Sequence, residues 1–212
     1  MWGIQPYKNT REDVTYIRCP NEHDLIMEFM SFWTKNYPDV ITGWNTDFFD
    51  IPYLANRIKQ VCGEDKMREL SPWKNVSSKQ IYSMGRNHLM YDIMGVSQYD
   101  YLQLYQKFTY TRQESYKLDY IASVELGEKK DENPYETFRE WYENDFQSFI
   151  DYNIQDVEIV DKLEDKMGLI DLALTMAYEG KVNYSDVFGQ VKYWDILILS
   201  LIHISEPTRL DH

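Results

Sequence analysis

The stretch Ile41-Thr42-Gly43-Trp44-Asn45-Thr46-Asp47-Phe48-Phe49-Asp50-Ile51-Pro52-Tyr53 reads as a strand, a tight loop and the start of a helix. Val40 and Ile41 are β-branched and follow Pro38, which suits a buried strand. Asn45 to Phe49 supply the loop. Asp50 falls where a helix N-cap belongs, and Pro52 lies in the first turn, where a missing N–H costs nothing. Ile51, Leu54, Ala55, Ile58 and Val61 then recur at helical spacing, and Gly63 lies just past the end. Taken alone, Asp50 is a helix cap. An acid between a strand end and a helix start also projects into a cleft at the sheet's edge, so Asp50 is a candidate for chemistry as well.

Composition narrows the function classes. A 43% hydrophobic share with 16% aromatics describes a globular chain, and 212 residues can bury one good core with a small appendage. The two cysteines, Cys19 and Cys62, form no CxxC and have no His at ligand spacing, so they read as reduced core thiols of a cytoplasmic protein. The longest apolar run, Ile196–Ile204, is interrupted by Ser and His and falls well short of the ~20 residues a membrane span needs. A net charge of −13 argues against a nucleic-acid binder with a basic footprint. It leaves open a nuclease whose cleft is lined by carboxylates, because bound metal ions would supply the positive charge.

Outward from the central stretch, Val14 to Ile17 alternates as a strand, and Asn21 with Asp24 opens a helix in the manner of a capping box. Leu25, Ile26, Phe29, Met30 and Trp33 form that helix's buried stripe, and Asn36 with Pro38 ends it. Residues 76–82 and 88–93 flank a turn-like Met84-Gly85-Arg86-Asn87, which predicts a hairpin over about 76–97 that projects from the body. Asp100 reads as the cap of a helix carrying Leu102, Tyr105 and Phe108, and a further helix opens at Ser115–Ala122 and closes at Leu126-Gly127. Phe138 to Met167 reads as one helix with Phe146, Phe149, Ile150, Val157, Val160 and Leu163 on its apolar face, and Ile170–Tyr178 as another. Tyr152 and Asp156 are one turn apart, so phenol and carboxylate share a face.

In a chain with 18 tyrosines a lone Tyr-x-x-x-Asp is a weak pattern. Preceded by Asn45-x-x-x-Phe49-Asp50 it is specific: the pair, in that order, resembles the second and third exonuclease motifs of family B DNA polymerases. The segments around Thr42–Asn45, Phe49–Tyr53, Gly95–Phe108, Ser115–Lys130 and Tyr152–Glu158 are most similar to the replicative polymerases of T-even-type bacteriophages. The resemblance implies an α/β ribonuclease H-like exonuclease fold, a mixed sheet flanked by helices with a protruding hairpin. It implies a partial 3′-5′ exonuclease domain over 1–175 and a helical exit toward a palm domain over 176–198. Leu199–His212 looks like the translation of a sequencing-library adapter and is set aside from the fold as a sequencing artefact.

The activity so implied is proofreading, the removal of mismatched nucleotides from the single-stranded 3′ end of a DNA primer within a DNA-directed DNA polymerase. Hydrolysis of the terminal phosphodiester uses two Mg²⁺ ions, with Mn²⁺ as a substitute, roughly 3.5–4 Å apart and held by carboxylate oxygens. Carried over residue by residue, Asp50 and Asp156 are metal ligands, Tyr152 orients the attacking water, and Asn45 and Phe49 shape the pocket for the terminal nucleotide. The hairpin would separate primer from template, and Lys129 or Lys130 lies where the family places a lysine near the scissile phosphate. Partners would be the upstream and polymerase parts of the parent chain and, through the parent, a sliding clamp in the host cytoplasm. No Asp-x-Glu stands on a strand within Met1–Asp39, so the first motif is missing and the fold is expected to be truncated at its N-terminal side. Two other readings of the residues are a free-standing exonuclease of the same superfamily and a non-catalytic nucleic-acid-binding remnant.

Overall fold

The structure, a computed structural model, describes residues 1–83, 85–127 and 134–205, the side chains of Ser83 and of residues 203–205 excepted. Met84 of the hairpin turn, the loop bearing Lys129 and Lys130, and residues 206–212 of the adapter-like tail lie outside the described residues.

Strand β1 (Trp2–Gly3) pairs in parallel with β2 (Ile17–Arg18). The strand expected over 14–17 is thus shorter and lies at its C-terminal edge. Helix α1 (Glu22–Lys35) starts as expected, with the Asp24 N–H donating to the Asn21 side chain at 2.9 Å and acids in its first turn. Strand β3 (Val40–Gly43) leads through the loop into α2 (Asp50–Cys62), and Gly63 ends that helix with φ +93°. A short α3 (Glu64–Arg68), not expected from the sequence, then returns the chain to β4 (Val76–Ser83) and β5 (Arg86–Ile93), which pair antiparallel.

Strand β6 (Ser97–Asp100) lies parallel to β3, with Gly43 opposite Asp100. It was hidden in the sequence because its four residues run directly into α4 (Tyr101–Phe108). Among the described residues the strands make three separate two-stranded pairs within a mixed α/β architecture, not the single mixed sheet expected. β3 is also half-buried instead of buried.

Helix α5 (Leu118–Glu125) follows. The helix expected over 138–167 is two, α6 (Phe138–Asn144) and α7 (Phe146–Met167). They break at Asp145, whose carboxylate accepts the Ser148 N–H at 3.1 Å and so caps a new helix. Gly168, at φ +61°, ends α7, and α8 (Leu169–Gly180), a 3₁₀ turn (Tyr184–Phe188) and α9 (Gln190–Ser205) complete the described chain.

Two apolar cores flank the β3–β6 pair. Ile26, Met30, Ile51, Ala55, Ile58, Met67, Leu70 and Ile93 form one, between α1, α2, α3 and β5. Tyr99, Leu104, Tyr105, Ile121, Ile159, Leu163 and Ala173 form the other, between β6, α4, α5, α7 and α8. Val40 packs on the second core and its neighbour Ile41 on the first, the alternation that a pleated strand imposes. On α4 the buried side chains are Tyr101, Leu104 and Tyr105, with Leu102 only partly covered, and on α7 Val157 is 69% exposed, outside the apolar face expected for it. The hairpin is anchored instead of free: Tyr91 and Ile93 at its base are buried, while Tyr82 near its tip is 74% exposed.

Candidate active site

The corner where β3 and β6 end side by side organises the site. Ligands of open α/β folds bind beyond the carboxyl ends of parallel strands, and here Gly43 and Asp100 are those ends. The Thr42 hydroxyl donates to the Tyr99 carbonyl at 2.7 Å and ties the two strands just before the corner. Trp44 donates its indole N–H to the Tyr116 carbonyl at 3.1 Å, turning the loop over the second core.

Asn45 opens the loop at φ 63°, in the left-handed region where asparagine is among the better-tolerated side chains. The Phe49 N–H donates to the Asn45 carbonyl at 3.2 Å and the Ile51 N–H to the Thr46 carbonyl at 3.0 Å, so the loop winds directly into α2. Asp50 is the first residue of α2 and makes no cap bond to it; Phe49 holds the cap position. Phe49 is 67% exposed, a large ring left in solvent.

Asn45 and Phe49 line one cavity of about 450 Å³ together with Phe48, His88, Asp100, Leu102, Gln103 and Gln106. The Phe48 and His88 rings meet at 4.9 Å and join loop to hairpin. Tyr152 and Asp156 are on α7, outside the lining of that cavity. Tyr152 is held by aromatic contacts, with its ring 4.8 Å from Trp141 and 6.1 Å from Phe138.

Electrostatics links the loop to the helix. Burial pushes the Asp50 carboxyl above the usual carboxylate range; its own N–H opposes this, and the charges of Asp100 and Asp156 add to it. Asp50 and Asp156, on different elements, are therefore within electrostatic reach of one another. As hard oxygen donors the two suit a divalent cation. Among the described residues, no group of three or more His, Cys, Asp or Glu is arranged to hold a metal ion.

Two acids of the corner had no assigned place in the sequence reading. Asp100 was read only as a cap, and Asp47 was passed over. Asp100 is 1% exposed and accepts from the backbone of Asn45 and Leu102, and Asp47 is 7% exposed and accepts from the Gln103 amide at 2.8 Å. The available signal was the loop itself, which carries two aspartates, Asp47 and Asp50, where a cap needs one.

An α/β domain with carboxylates gathered beyond two parallel strand ends and on a packed helix has the make-up of an acidic-site hydrolase domain. Comparison with known proteins makes the assignment particular. Residues 4–121 match DNA polymerase family B, exonuclease domain, and the chain belongs to that family. It is 39% identical to the DNA-directed DNA polymerase of Escherichia phage RB69 over 191 residues, 89% of this chain and 21% of that protein. With the DNA-directed DNA polymerase of Enterobacteria phage T4 it shares 40% over 188 residues, 88% of this chain and 21% of that protein. With the DNA polymerase delta catalytic subunit of Candida albicans it shares 36% over 118 residues, 52% of this chain and 11% of that protein. The chain thus spans about a fifth of the length of its phage relatives. It is exonuclease-domain sequence of a family whose relatives are DNA-directed DNA polymerases.

Proposed function

We propose that this chain carries part of a proofreading 3′-5′ exonuclease site, acting on the single-stranded 3′ end of a DNA primer in a polymerase of the host cytoplasm. The observation that carries this is that the charge of Asp156, on α7, reaches Asp50, at the end of the loop, in a chain of this family. Asp50 and Asp156 would hold divalent metal, Mg²⁺ or Mn²⁺. When bound, the ions would supply positive charge for the phosphate and lower the pKa of a bound water.

The chain's own residues do the rest. Phe49, solvent-exposed beside the cavity, offers a ring on which a terminal base stacks, and stacking of this kind is worth about 1–3 kcal/mol per base. Asn45 fixes the loop that presents that ring. Tyr152, one turn before Asp156 on the same helix and packed against Trp141, would orient the attacking water. Burial and neighbouring acids keep Asp50 reluctant to ionise, so an incoming cation gains more from it than from a surface carboxylate. The hairpin β4–β5 would act in parting primer from template, its base fixed in the core and its tip free.

The test is made in a longer chain that includes an Asp-x-Glu strand upstream of this sequence. Asp156→Ala should abolish metal-dependent removal of 3′ nucleotides from single-stranded DNA, and Tyr152→Phe should slow it. Undiminished cleavage in Asp156→Ala would overturn the assignment.

A further inference from the structure

Asp100 does more than a helix cap requires. It ends β6 and receives the Leu102 N–H at 3.0 Å, which caps α4. The same Oδ1 accepts the Asn45 N–H at 2.9 Å, and Oδ2 accepts the Asp47 N–H at 3.3 Å. One carboxylate therefore joins the start of α4 to two alternate positions of the loop, Asn45 and Asp47. A serine or asparagine would cap α4 about as well without placing a charge at 1% exposure, where charge is costly. The loop amides offset part of that cost, since hydrogen bonds to an ionised acceptor are the stronger kind.

The loop needs such an anchor. Asn45 sits at φ 63°, a conformation that asparagine tolerates better than most side chains but that still costs something unless its surroundings hold it. From Asn45 and Thr46 the backbone bonds of Phe49 and Ile51 carry the loop into the first turn of α2. Whatever holds the Asn45 and Asp47 amides thereby places Phe49 and Asp50.

We propose that Asp100 is a positioning residue for the exonuclease loop, fixing Phe49 and Asp50 through the Asn45 and Asp47 amides. This rests on the exonuclease reading above, and the experiment separates the two. Asp100→Ser retains a cap for α4 and loses the two-oxygen reach; Asp100→Asn retains one acceptor oxygen. Backbone amide exchange in the 212-residue chain, followed by NMR, should be about ten- to a hundred-fold faster at Asn45 and Asp47 in Asp100→Ser. Asp100→Asn should fall between it and the parent, and the amides of α1 should keep their protection in both. Mn²⁺ added to the parent chain should broaden the Asp50 and Asp156 signals, and at equal Mn²⁺ the broadening at Asp50 should be several-fold weaker in Asp100→Ser. Unchanged exchange at Asn45 and Asp47 in Asp100→Ser overturns the positioning role. So does faster exchange that spreads equally through α1, because that reports loss of the fold. Undiminished cleavage by Asp156→Ala in the longer chain overturns the exonuclease reading on which the proposal rests, whatever the amides do.

Discussion

Replacing Asp47 with Asn should stabilise the chain at neutral pH and leave it unchanged in acid. Asp47 is 7% exposed; its Oδ2 accepts from Gln103, while its Oδ1 has no hydrogen-bond partner among the described residues. Burial first, and then the charge of Asp100, push its carboxyl up to about 6 from 3.8, against a smaller pull from Gln103 and Lys79. The sign follows from proton linkage. Between these two values the folded state binds more protons than the unfolded chain, so stability falls as pH rises from about 4 through about 6. A shift of about two units amounts to about 3 kcal/mol above pH 6, a ceiling because the neighbouring loop can relax. Asparagine can still accept from Gln103, carries no charge, and places a donor where Oδ1 had no partner. Urea unfolding of both chains at pH 4 and pH 7.5 is the assay. The difference between them should be near zero in acid and grow to between about 1 and 3 kcal/mol at pH 7.5, in favour of Asp47→Asn. An equal difference at both pH values, of either sign, would refute a carboxylate strained by burial.

Gly95→Ala should destabilise the chain by about 1–3 kcal/mol, read as a lowered urea midpoint, because Gly95 stands at φ +93° and a Cβ there would lie 2.7 Å from Pro72 and Trp73. Leu163→Ala, at a fully buried position of α7, should cost about 2–5 kcal/mol in the same assay. Asn21→Ala removes the α1 cap and should cost about 1 kcal/mol, and an equal Asn21→Ser loss would show that the side-chain acceptor is not the cause. The 212-residue chain with Mg²⁺ should digest labelled single-stranded DNA at background rate, since among the described residues no group of three or more His, Cys, Asp or Glu is arranged to hold a metal ion; digestion that Asp50→Ala removes would contradict this.

What was legible in the sequence was local. The Asn21 cap, the Gly63 stop and the strand-loop-helix order of Val40 to Cys62 are each written within a few residues of where they act. The break at Asp145 was also local, an Asn-Asp pair able to cap, but helical spacing ran on through it and concealed it. The two-motif pattern Asn45–Asp50 and Tyr152–Asp156 carried the family because it fixes residue types at several positions at once. The relation of the acids to the corner was not legible in this way. Asp100 lies far from Asn45 in sequence, and only the pairing of β3 with β6 brings them together.

That pairing is fixed by register, and register governs which face each side chain takes. In the parallel pair Val40 stands opposite Ser97 and Gly43 opposite Asp100. Sliding β6 by one residue would turn Asp100 to the opposite face and bring Tyr99 or Tyr101, both fully buried in the second core, to the loop. Three contacts hold the observed register: the Thr42 hydroxyl on the Tyr99 carbonyl, the Tyr99 phenol donating to the Tyr184 carbonyl at 3.0 Å, and the Gln98 amide donating to the Tyr91 carbonyl at 3.0 Å. They come from β3, the 3₁₀ turn and the hairpin, three separate parts of the chain. The carboxylate that anchors the loop is therefore placed by both cores acting together. Damage to either core should reach the loop before it unfolds the chain, because the Asn45 and Asp47 amides lose their partner on a shift of one residue.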